Sequence, residues 1–365
     1  MRVKSRRGTL FLLLLLVMAL VAAACGGDDD DDGGETGSAT SAAEDGGTEG
    51  DDAASEDPAY ADLVAAAQEE GGVTIYSSQG LDALNAFGEA FEERYDVPVE
   101  VVRGIDTELS SRVETELETG GGPDLYVSAS QPWVEAHTDA FAEPTSPQLT
   151  GAGDYDAGTY VHDGNFFEVG AALLTMAWNT SEVDDLTAYE DLLDPQFAGG
   201  KLGVIEPAAP SIVDFYLWME ETFGEEYVEQ LAAQEPRIYP SALPIGEALI
   251  SGEIFASPYA APVQLVPAQE SGAPVDFAID ERGAWGARYF GMIMNDAEHP
   301  NAAQLLADFM VTAEGQQLVV GVASSVLPDV PGALLTNEEV RQQDLDALTP
   351  EAVAAYQEKW NSLFR

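Results

Sequence analysis

Short apolar strands alternate with amphipathic helices in the first half of the chain. Residues 73–76 are apolar or β-branched, which is typical of a buried strand, and Leu84, Phe87 and Phe91 follow at helical spacing. Residues 97–102 repeat the strand signal, and another amphipathic helix and a third short strand come after them. Strands that alternate with helices in this way predict a parallel sheet with helices on both faces.

The same alternation returns after a crossover segment that is rich in Gly, Asp and Pro. Strands predicted at 173–178 and 202–205 alternate with helices predicted at 186–193 and 211–223. The repetition predicts a second lobe built like the first. The later predicted segments are helices at 225–234 and 245–250 and strands at 254–257, 275–279 and 289–294.

This pattern divides the chain into two predicted α/β lobes. The N-terminal lobe is predicted to comprise residues 58–160, completed by about 285–325, and the C-terminal lobe residues 161–284, with C-terminal helices in 326–365. In sheets of this kind, ligands bind beyond the carboxyl ends of the strands. Polar loops at that edge of each lobe are therefore the candidate site.

The N-terminal 25 residues have the layout of a cleaved export signal. A basic start is followed by an unbroken apolar run at residues 10–24 and then by Cys25. At about 15 residues, the apolar run is shorter than the roughly 20 that a membrane-spanning helix needs. Residues 26–57 contain 13 acidic residues and no basic ones, so we predict a disordered, solvated tether.

Cys25 is the only cysteine, so no internal disulfide can form. Its position directly after three alanines resembles the lipobox of bacterial lipoproteins. The resemblance implies cleavage before Cys25 and its diacylation, which would anchor the exported protein to the outer face of the cytoplasmic membrane. A spare buried thiol is the alternative interpretation.

The chain is strongly acidic, with 66 acidic against 14 basic residues and a formal net charge of −52 at pH 7. Nucleic acid is excluded as a partner, because the clusters of Lys and Arg that neutralise phosphates are missing. The acidic residues are spread along the whole chain, which indicates a solvating surface such as a salt-rich habitat would favour. The charge therefore says little about the ligand.

No sequence motif points to catalysis. The sequence contains no G-x-S-x-G elbow, no P-loop, no dinucleotide-binding glycine pattern and no H-E-x-x-H. The three histidines, His137, His162 and His299, share no spacing typical of metal ligands. We therefore predict a protein that is not an enzyme and that needs no cofactor and no metal; a secreted hydrolase is the weaker alternative.

Small hydroxyl and amide side chains recur where predicted strands end and helices begin. Unpaired N–H groups at helix starts can hold an anion, although a serine there can also be only a helix cap. We expect these residues to bind a small polar solute, with an anionic organic molecule as the first hypothesis. The candidate ligand-binding residues are Ser77, Ser78, Gln79, Ser128, Ser130, Ser211 and Ser241, with Tyr239 and Tyr259 shaping the pocket.

Several segments in fixed order carry a resemblance to a known family. They are Val73-Thr-Ile-Tyr-Ser-Ser-Gln79, Gly122-Pro-Asp-Leu-Tyr-Val-Ser128, Leu192-Leu-Asp-Pro-Gln-Phe197, Ser251-Gly-Glu253 and His299-Pro-Asn-Ala-Ala303. Together they resemble the family 1 extracellular solute-binding proteins, near the branch that binds ferric iron and small organic solutes. The resemblance implies a two-lobe, type II periplasmic-binding-protein fold with crossover hinge strands. It also implies a monomer that works with the permease and ATPase subunits of an ABC importer.

Ferric iron is the alternative ligand. Ferric members of the family carry two adjacent tyrosines shortly after the Ser-Gly-Glu element, because Fe(III) prefers anionic oxygen donors. Here only Tyr259 is present, and Pro262 and Val263 stand where the pair is expected. The departure favours an organic solute, with Tyr259 as the candidate metal ligand if iron binds.

Overall fold

The computed structural model describes residues 58–365, and its elements follow the alternation read from the sequence. The chain first runs through one set of helices and strands and then enters a long strand, β5 (Phe166–Asn179). The elements before β5 are α1 (Pro58–Glu70), β1 (Val73–Ser77), α2 (Leu81–Tyr95), β2 (Val99–Arg103), α3 (Asp106–Thr119), β3 (Leu125–Ser128), α4 (Gln131–Ala136), α5 (Ala157–Tyr160) and β4 (Val161–His162).

A second set of elements follows β5, and a second long strand, β10 (Trp285–Ile293), leads back to the first set. Between them lie β6 (Gly203–Ile205), α6 (Pro210–Phe223), α7 (Tyr227–Ala233), β7 (Arg237–Tyr239), α8 (Ala242–Ser251), β8 (Ala256–Ala260), α9 (Pro262–Glu270) and β9 (Val275–Ala278). After β10 come α10 (Pro300–Met310), α11 (Ala313–Val319), β11 (Ser324–Ser325), β12 (Leu335–Thr336) and α12 (Pro350–Phe364). No helix within residues 58–365 is both long and apolar enough to cross a membrane.

The sheet of the first lobe is mixed, not purely parallel as the alternation predicts. Strands β2, β1 and β3 lie side by side and run in parallel. Strand β10 pairs antiparallel with β3 on one side and with β5 on the other. The three parallel strands therefore end at one common edge, while β5 and β10 connect this sheet to the second lobe.

The second lobe is built on the far end of β5. Residues 175–179 pair antiparallel with β8 and β9, and β6 pairs in parallel with β7. A parallel bridge between Leu202 and Ala256 joins β6 to β8. Strands β6, β7 and β8 therefore share one direction, and their carboxyl ends lie at one edge.

Each lobe has its own hydrophobic core. In the first lobe, the buried Phe87 and Phe91 of α2 pack against Phe309, with the Phe87 and Phe309 ring centroids 5.2 Å apart. In the second lobe, Phe215 contacts Trp285 at a ring-centroid distance of 5.5 Å. The helical stripe predicted from Leu84 to Phe91 is confirmed, and the two-lobe α/β fold class is confirmed.

The lobe boundaries predicted from the sequence stay a prediction. The buried Phe167, Val169, Val326 and Leu327 pack in the first-lobe core, whereas Trp360 of α12 packs in the second. This packing favours placing residues 161–172 and 324–334 with the first lobe, and the C-terminal helix with the second.

Several predicted bounds differ from those observed; β10, for example, begins at Trp285 and not at Tyr289. Strand β5 begins at Phe166 and not at Leu173, because the Glu, Gly and Ala residues of its first half conceal the strand signal. The helix predicted at 186–193 is wrong in length: only a 3-10 helix, Tyr189–Leu193, forms there. Its start is displaced because the Asp191 carboxylate accepts hydrogen bonds from the backbone N–H groups of Thr187 and Ala188.

A buried ion pair joins the two long strands. Arg288 of β10 donates to both carboxylate oxygens of Glu168 on β5, at 2.9 and 2.7 Å, and the Asn337 amide donates to Glu168 at 2.7 Å. Burial alone would raise the pKa of Glu168, but hydrogen bonds from His162 and Asn337 and the charge of Arg288 lower that pKa below its usual value. Glu168 is therefore ionised and held where the chain passes between the lobes.

Candidate functional site

A cavity of about 190 Å³ opens between the two lobes beside β5. Both lobes and the connecting strands contribute to its wall. The lining residues are Gln79, Gly80 and Ala83, residues 170–174, Tyr289, residues 319–323, and Ala261 and Val263. Residues 261 and 263 follow β8 in the second lobe, and residues 79–83 follow β1 in the first, so the cavity lies where the strand ends of both lobes meet.

The topology explains why the two sets of strand ends lie there. The residues that follow the parallel strands β1, β2 and β3 form what we call the first-lobe edge: residues 77–83, 103–106 and 128–131. The residues that follow β6, β7 and β8 form the second-lobe edge: residues 206–211, 240–243 and 261–263. The predicted ligand-binding serines lie on these two edges, as strand-end polar residues of an α/β sheet should.

Ser77 and Gln79 order the loop after β1. Ser77 is fully buried; its hydroxyl donates to the Gln79 side-chain oxygen and accepts from the Gln79 backbone N–H, both at 3.2 Å. The Gln79 amide also donates to the carbonyl of Val319 at 3.3 Å. Of these two residues, Gln79 lines the cavity, whereas Ser77 positions it.

Ser78 and Ser128 converge on one carboxylate, that of Asp106. The Ser78 hydroxyl donates to Asp106 Oδ2 at 2.9 Å and the Ser128 hydroxyl to Oδ1 at 2.8 Å. The backbone N–H of Ala129 donates to Oδ1 at 3.0 Å, and the Ser130 N–H donates to the Ser128 hydroxyl at 3.1 Å. The predicted first-lobe serines are therefore brought together, but around an acidic side chain.

Sequence reasoning missed Asp106 and Tyr289. The available signal for Asp106 was its position as the first residue of α3, three residues after the end of β2, which shares an edge with β1. Tyr289 lies on the connecting strand β10 and lines the cavity. Burial and the nearby charge of Asp106 raise the pKa of Tyr289 to about 12, so its phenol is neutral and can donate a hydrogen bond.

The second-lobe edge keeps its polar groups differently. Ser211 lies in the first turn of α6 and Ser241 is the residue before α8, and neither hydroxyl makes a hydrogen bond within residues 58–365. Ser211 is half-buried and Ser241 is exposed. Both serines lie on the second-lobe edge. Val263 of the same edge lines the cavity, whereas the two serines do not.

The two tyrosines do not line the cavity. Tyr259 is only 7% exposed and packs edge-on against Phe215, with ring centroids 4.8 Å apart. Burial raises the pKa of the Tyr259 phenol above its usual value. Tyr239 is half-buried against the second-lobe core, where burial, followed by the charge of Glu253, raises its pKa. Their roles in ligand binding stay predictions that this packing does not favour.

Among the described residues, no group of three or more His, Cys, Asp and Glu side chains is arranged to hold a metal ion. Cys25, the predicted site of lipidation, lies outside the residues that the structure describes, as do the predicted signal peptide and tether.

Comparisons with known proteins agree with this two-lobe geometry. A family model described as "bacterial extracellular solute-binding protein" matches residues 73–320, about two thirds of the chain. A search of curated proteins finds no sequence match.

Solved structures with the same fold include several solute-binding proteins. Iron-bound HitA from Pseudomonas aeruginosa aligns with a TM-score of 0.63 at 18% identity, over 79% of this chain and 99% of its own. The substrate binding protein of the ABC transporter from Agrobacterium tumefaciens gives 0.64 at 15% identity, over 80% and 95%. AfuA from Actinobacillus pleuropneumoniae with fructose-6-phosphate bound gives 0.59 at 17% identity, over 80% and 98%.

The likeness to these solved structures shows the fold. The match to the family model shows the class of protein. Members of this class are exported, bind small solutes and work with the permease and ATPase of an ABC transporter; they are binding proteins and not enzymes. The chain is therefore a solute-binding protein of the ABC importer type and belongs to the bacterial extracellular solute-binding protein family.

Proposed function

We propose that this protein captures a small organic solute between its lobes and presents it to the permease of an ABC importer. The observation that carries the proposal is the cavity itself, which is lined by residues of both lobes and of the two strands that connect them. A solute held there contacts both lobes at once. It would favour a closed arrangement by hinge motion, because a ligand shifts an equilibrium only through such differential contacts.

The packing of Tyr259 supports an organic solute over ferric iron. Its phenol is buried among Phe215 and Trp285, and it would have to leave the core and ionise to bind a metal. Ferric iron needs several hard anionic oxygen donors, and on the described first-lobe edge the hydroxyls of Ser78 and Ser128 gather around a single carboxylate, that of Asp106. Ferric iron is the second candidate, favoured by the likeness to iron-bound HitA and to other iron-binding proteins of the same fold.

The Asp106 cluster also narrows the expected organic class. Ser78 and Ser128 donate to this carboxylate, so an anionic group placed between them would face a negative charge. We propose that the solute turns hydrogen-bond donors toward the first-lobe edge. An anionic group, where the solute has one, would then lie toward Ser211 and Ser241, whose hydroxyls have no partner in the described residues.

We also propose that a lipid on Cys25 attaches the protein to the membrane and that residues 26–57 give it reach. A monomer suffices for this role, because each chain brings both walls of the cavity. In this proposal the protein releases the solute unchanged and performs no catalysis.

The identity of the bound molecule tests this proposal. The protein is purified without added solute and denatured, and the released small molecules are analysed by mass spectrometry and the metal content by elemental analysis. We expect one organic solute that rebinds at a 1:1 ratio in calorimetry and is recovered unaltered. Stoichiometric iron with a colour that is lost in Tyr259→Phe would support the second candidate, and a chemically changed product would support the hydrolase.

A further inference from the structure

The cavity between the lobes is almost entirely apolar. Among the described residues that line it, Gln79 and Tyr289 are the only ones with polar side chains; the others are Gly, Ala, Val and Leu. A binding site for a fully polar solute would place donors and acceptors around the whole wall, because an unpaired polar group loses its hydrogen bonds to water. The lining therefore fits an apolar part of a solute, with polar contacts at one end only.

Small residues create the space. Glycines and alanines form much of the wall, contributed by both lobes and by β5; they are Gly80, Ala83, Gly170, Ala171, Ala172, Ala261, Gly321 and Ala323. Gly170 has a φ of 150°, and a Cβ there would lie 2.7 Å from the carbonyl oxygen of Ser324, so no larger residue fits at that point of β5.

The volume suits a defined group. An apolar cavity of about 150 Å³ is large enough to hold benzene, and this cavity measures about 190 Å³. A phenyl ring or a branched chain of four to five carbons therefore fills it, whereas a methyl group leaves most of the space without contacts.

Exposed apolar side chains give an independent indication. Four large hydrophobic residues of the described chain stand out as exposed: Leu81, Ile105, Leu243 and Val263, at 48, 51, 57 and 59%. Leu81 and Ile105 lie on the first-lobe edge, and Leu243 and Val263 on the second-lobe edge. Exposed apolar residues gathered at one place indicate a binding surface; two of these four lie on each strand-end edge, and Val263 also lines the cavity.

We propose, resting on the function proposed above, that the imported solute carries an apolar group of phenyl or branched aliphatic size. This group occupies the cavity beside β5. The polar part of the solute faces Gln79, Tyr289 and the Asp106 cluster. The exposed apolar side chains on the first-lobe and second-lobe edges are covered when the lobes close over it.

Two probe series test this inference even while the natural solute is unidentified. One consists of methylamine, 3-methylbutylamine and benzylamine, and the other of acetate, 3-methylbutanoate and phenylacetate. Each compound is titrated into the whole protein, from which the co-purified solute has been removed. Binding is followed by NMR of the Val and Leu methyl groups of the protein. Each buried methylene should tighten binding roughly fourfold, so in at least one series the larger members should bind at least about tenfold more tightly than the smallest. The signals of Val263, Val319 and Val320 should shift.

Matched variants locate the effect. Ala83→Leu fills the cavity from α2 and should reduce the preference for the larger probes at least about fivefold, whereas Ala86→Leu, on the exposed side of the same helix, should leave it unchanged. Ala261→Val fills the cavity from the other lobe and should reduce the preference for the larger probes as Ala83→Leu does. The same result from both variants would show that the effect does not come from a local change in α2.

Equal affinity for small and large probes, no binding by any probe, or a preference that survives both filling variants would overturn the inference. The proposed function fails separately, when no organic solute is released from the purified protein. A released solute that is polar throughout would support the proposed function and contradict the inference that the solute carries an apolar group.

Discussion

Within the described residues, polar side chains of the first lobe are hydrogen-bonded to one another, whereas two serine hydroxyls of the second-lobe edge are not hydrogen-bonded. In the first lobe, Ser78 and Ser128 donate to Asp106, and Arg288 donates to Glu168. On the second-lobe edge, the hydroxyls of Ser211 and Ser241 have no hydrogen-bond partner within residues 58–365. One side of the cleft is organised before a solute arrives, and the other retains groups that a solute can engage.

This difference fits a protein that binds in two stages. A preorganised wall costs little ordering entropy when a ligand meets it, so the first lobe suits the initial contact. The second-lobe edge, whose Ser211 and Ser241 hydroxyls have no partner within residues 58–365, would gain its contacts as the cleft closes.

Glu168→Ala should cause the largest loss of stability. It leaves the Arg288 guanidinium, whose side chain is 10% exposed, without its carboxylate, and breaking a buried ion pair costs about 3–5 kcal/mol. Denaturant unfolding measures the change. Glu253→Ala, which removes the exposed partner of Arg237, is the control and should cost less than about 1 kcal/mol. Equal losses in both variants would contradict the structural role of the buried pair.

Asp106→Ala should destabilise the first lobe by about 2–3 kcal/mol, because a charged acceptor shared by two hydroxyls and the Ala129 N–H is lost. We also expect weaker solute binding, measured by calorimetry on the solute released from the purified protein. Glu89→Ala, at an exposed acid in the middle of α2 and away from the first-lobe edge, should change neither quantity. Tighter binding after Asp106→Ala would point to an anionic group at this position.

Ser241→Ala should separate binding from folding. Its hydroxyl makes no cap hydrogen bond, so the free energy of unfolding should change by less than about 0.5 kcal/mol, while affinity for the released solute falls several-fold. Ser128→Ala should instead lower stability more than affinity. The free energy of unfolding should fall by about 1–2 kcal/mol, because the buried Ser128 hydroxyl already donates a hydrogen bond to Asp106. A stability loss in both serine variants would remove the contrast between the edges.

Lowering the pH should weaken the ion pair of Glu168 and Arg288, with a smaller effect on stability than Glu168→Ala has. The pKa of Glu168 is lowered in the folded protein, so its stabilising contribution is complete above the ordinary carboxyl pKa of 4.5 and is lost as the pH falls through the lowered value. Between about pH 5 and pH 3, the unfolding free energy of the unchanged protein should fall more steeply than that of Glu168→Gln. Parallel pH profiles for the two proteins would show that Glu168 makes no such contribution.

Sequence patterns predicted much of the fold because periodicity reports burial directly. The stripe of Leu84, Phe87 and Phe91 becomes the buried face of α2, and the strand-end serines lie on the two edges expected of α/β sheets. Tyr259 illustrates the limit. Its neighbours Ser257 and Pro258 suggest a turn, yet all five residues of β8 are buried, because β8 lies between β5 and β6.

The cavity was harder to predict, since it depends on residues that are distant in the sequence. Gln79, Ala261 and Tyr289 come from three separate parts of the chain. The acceptor of Ser78 and Ser128 was hidden as well, because Asp106 is one acid among 66 and only the fold singles it out.

Closure of the two lobes around the solute can be measured as a change in the distance between them in solution. Spin labels at Ala86→Cys on α2 and Glu247→Cys on α8, both exposed positions on different lobes, can be introduced in a Cys25→Ser background and measured by electron–electron double resonance. With saturating amounts of the released solute, we expect the distance distribution to shorten by several ångström and to narrow. An unchanged distribution, with binding confirmed by calorimetry in the same sample, would contradict capture by closure of two lobes.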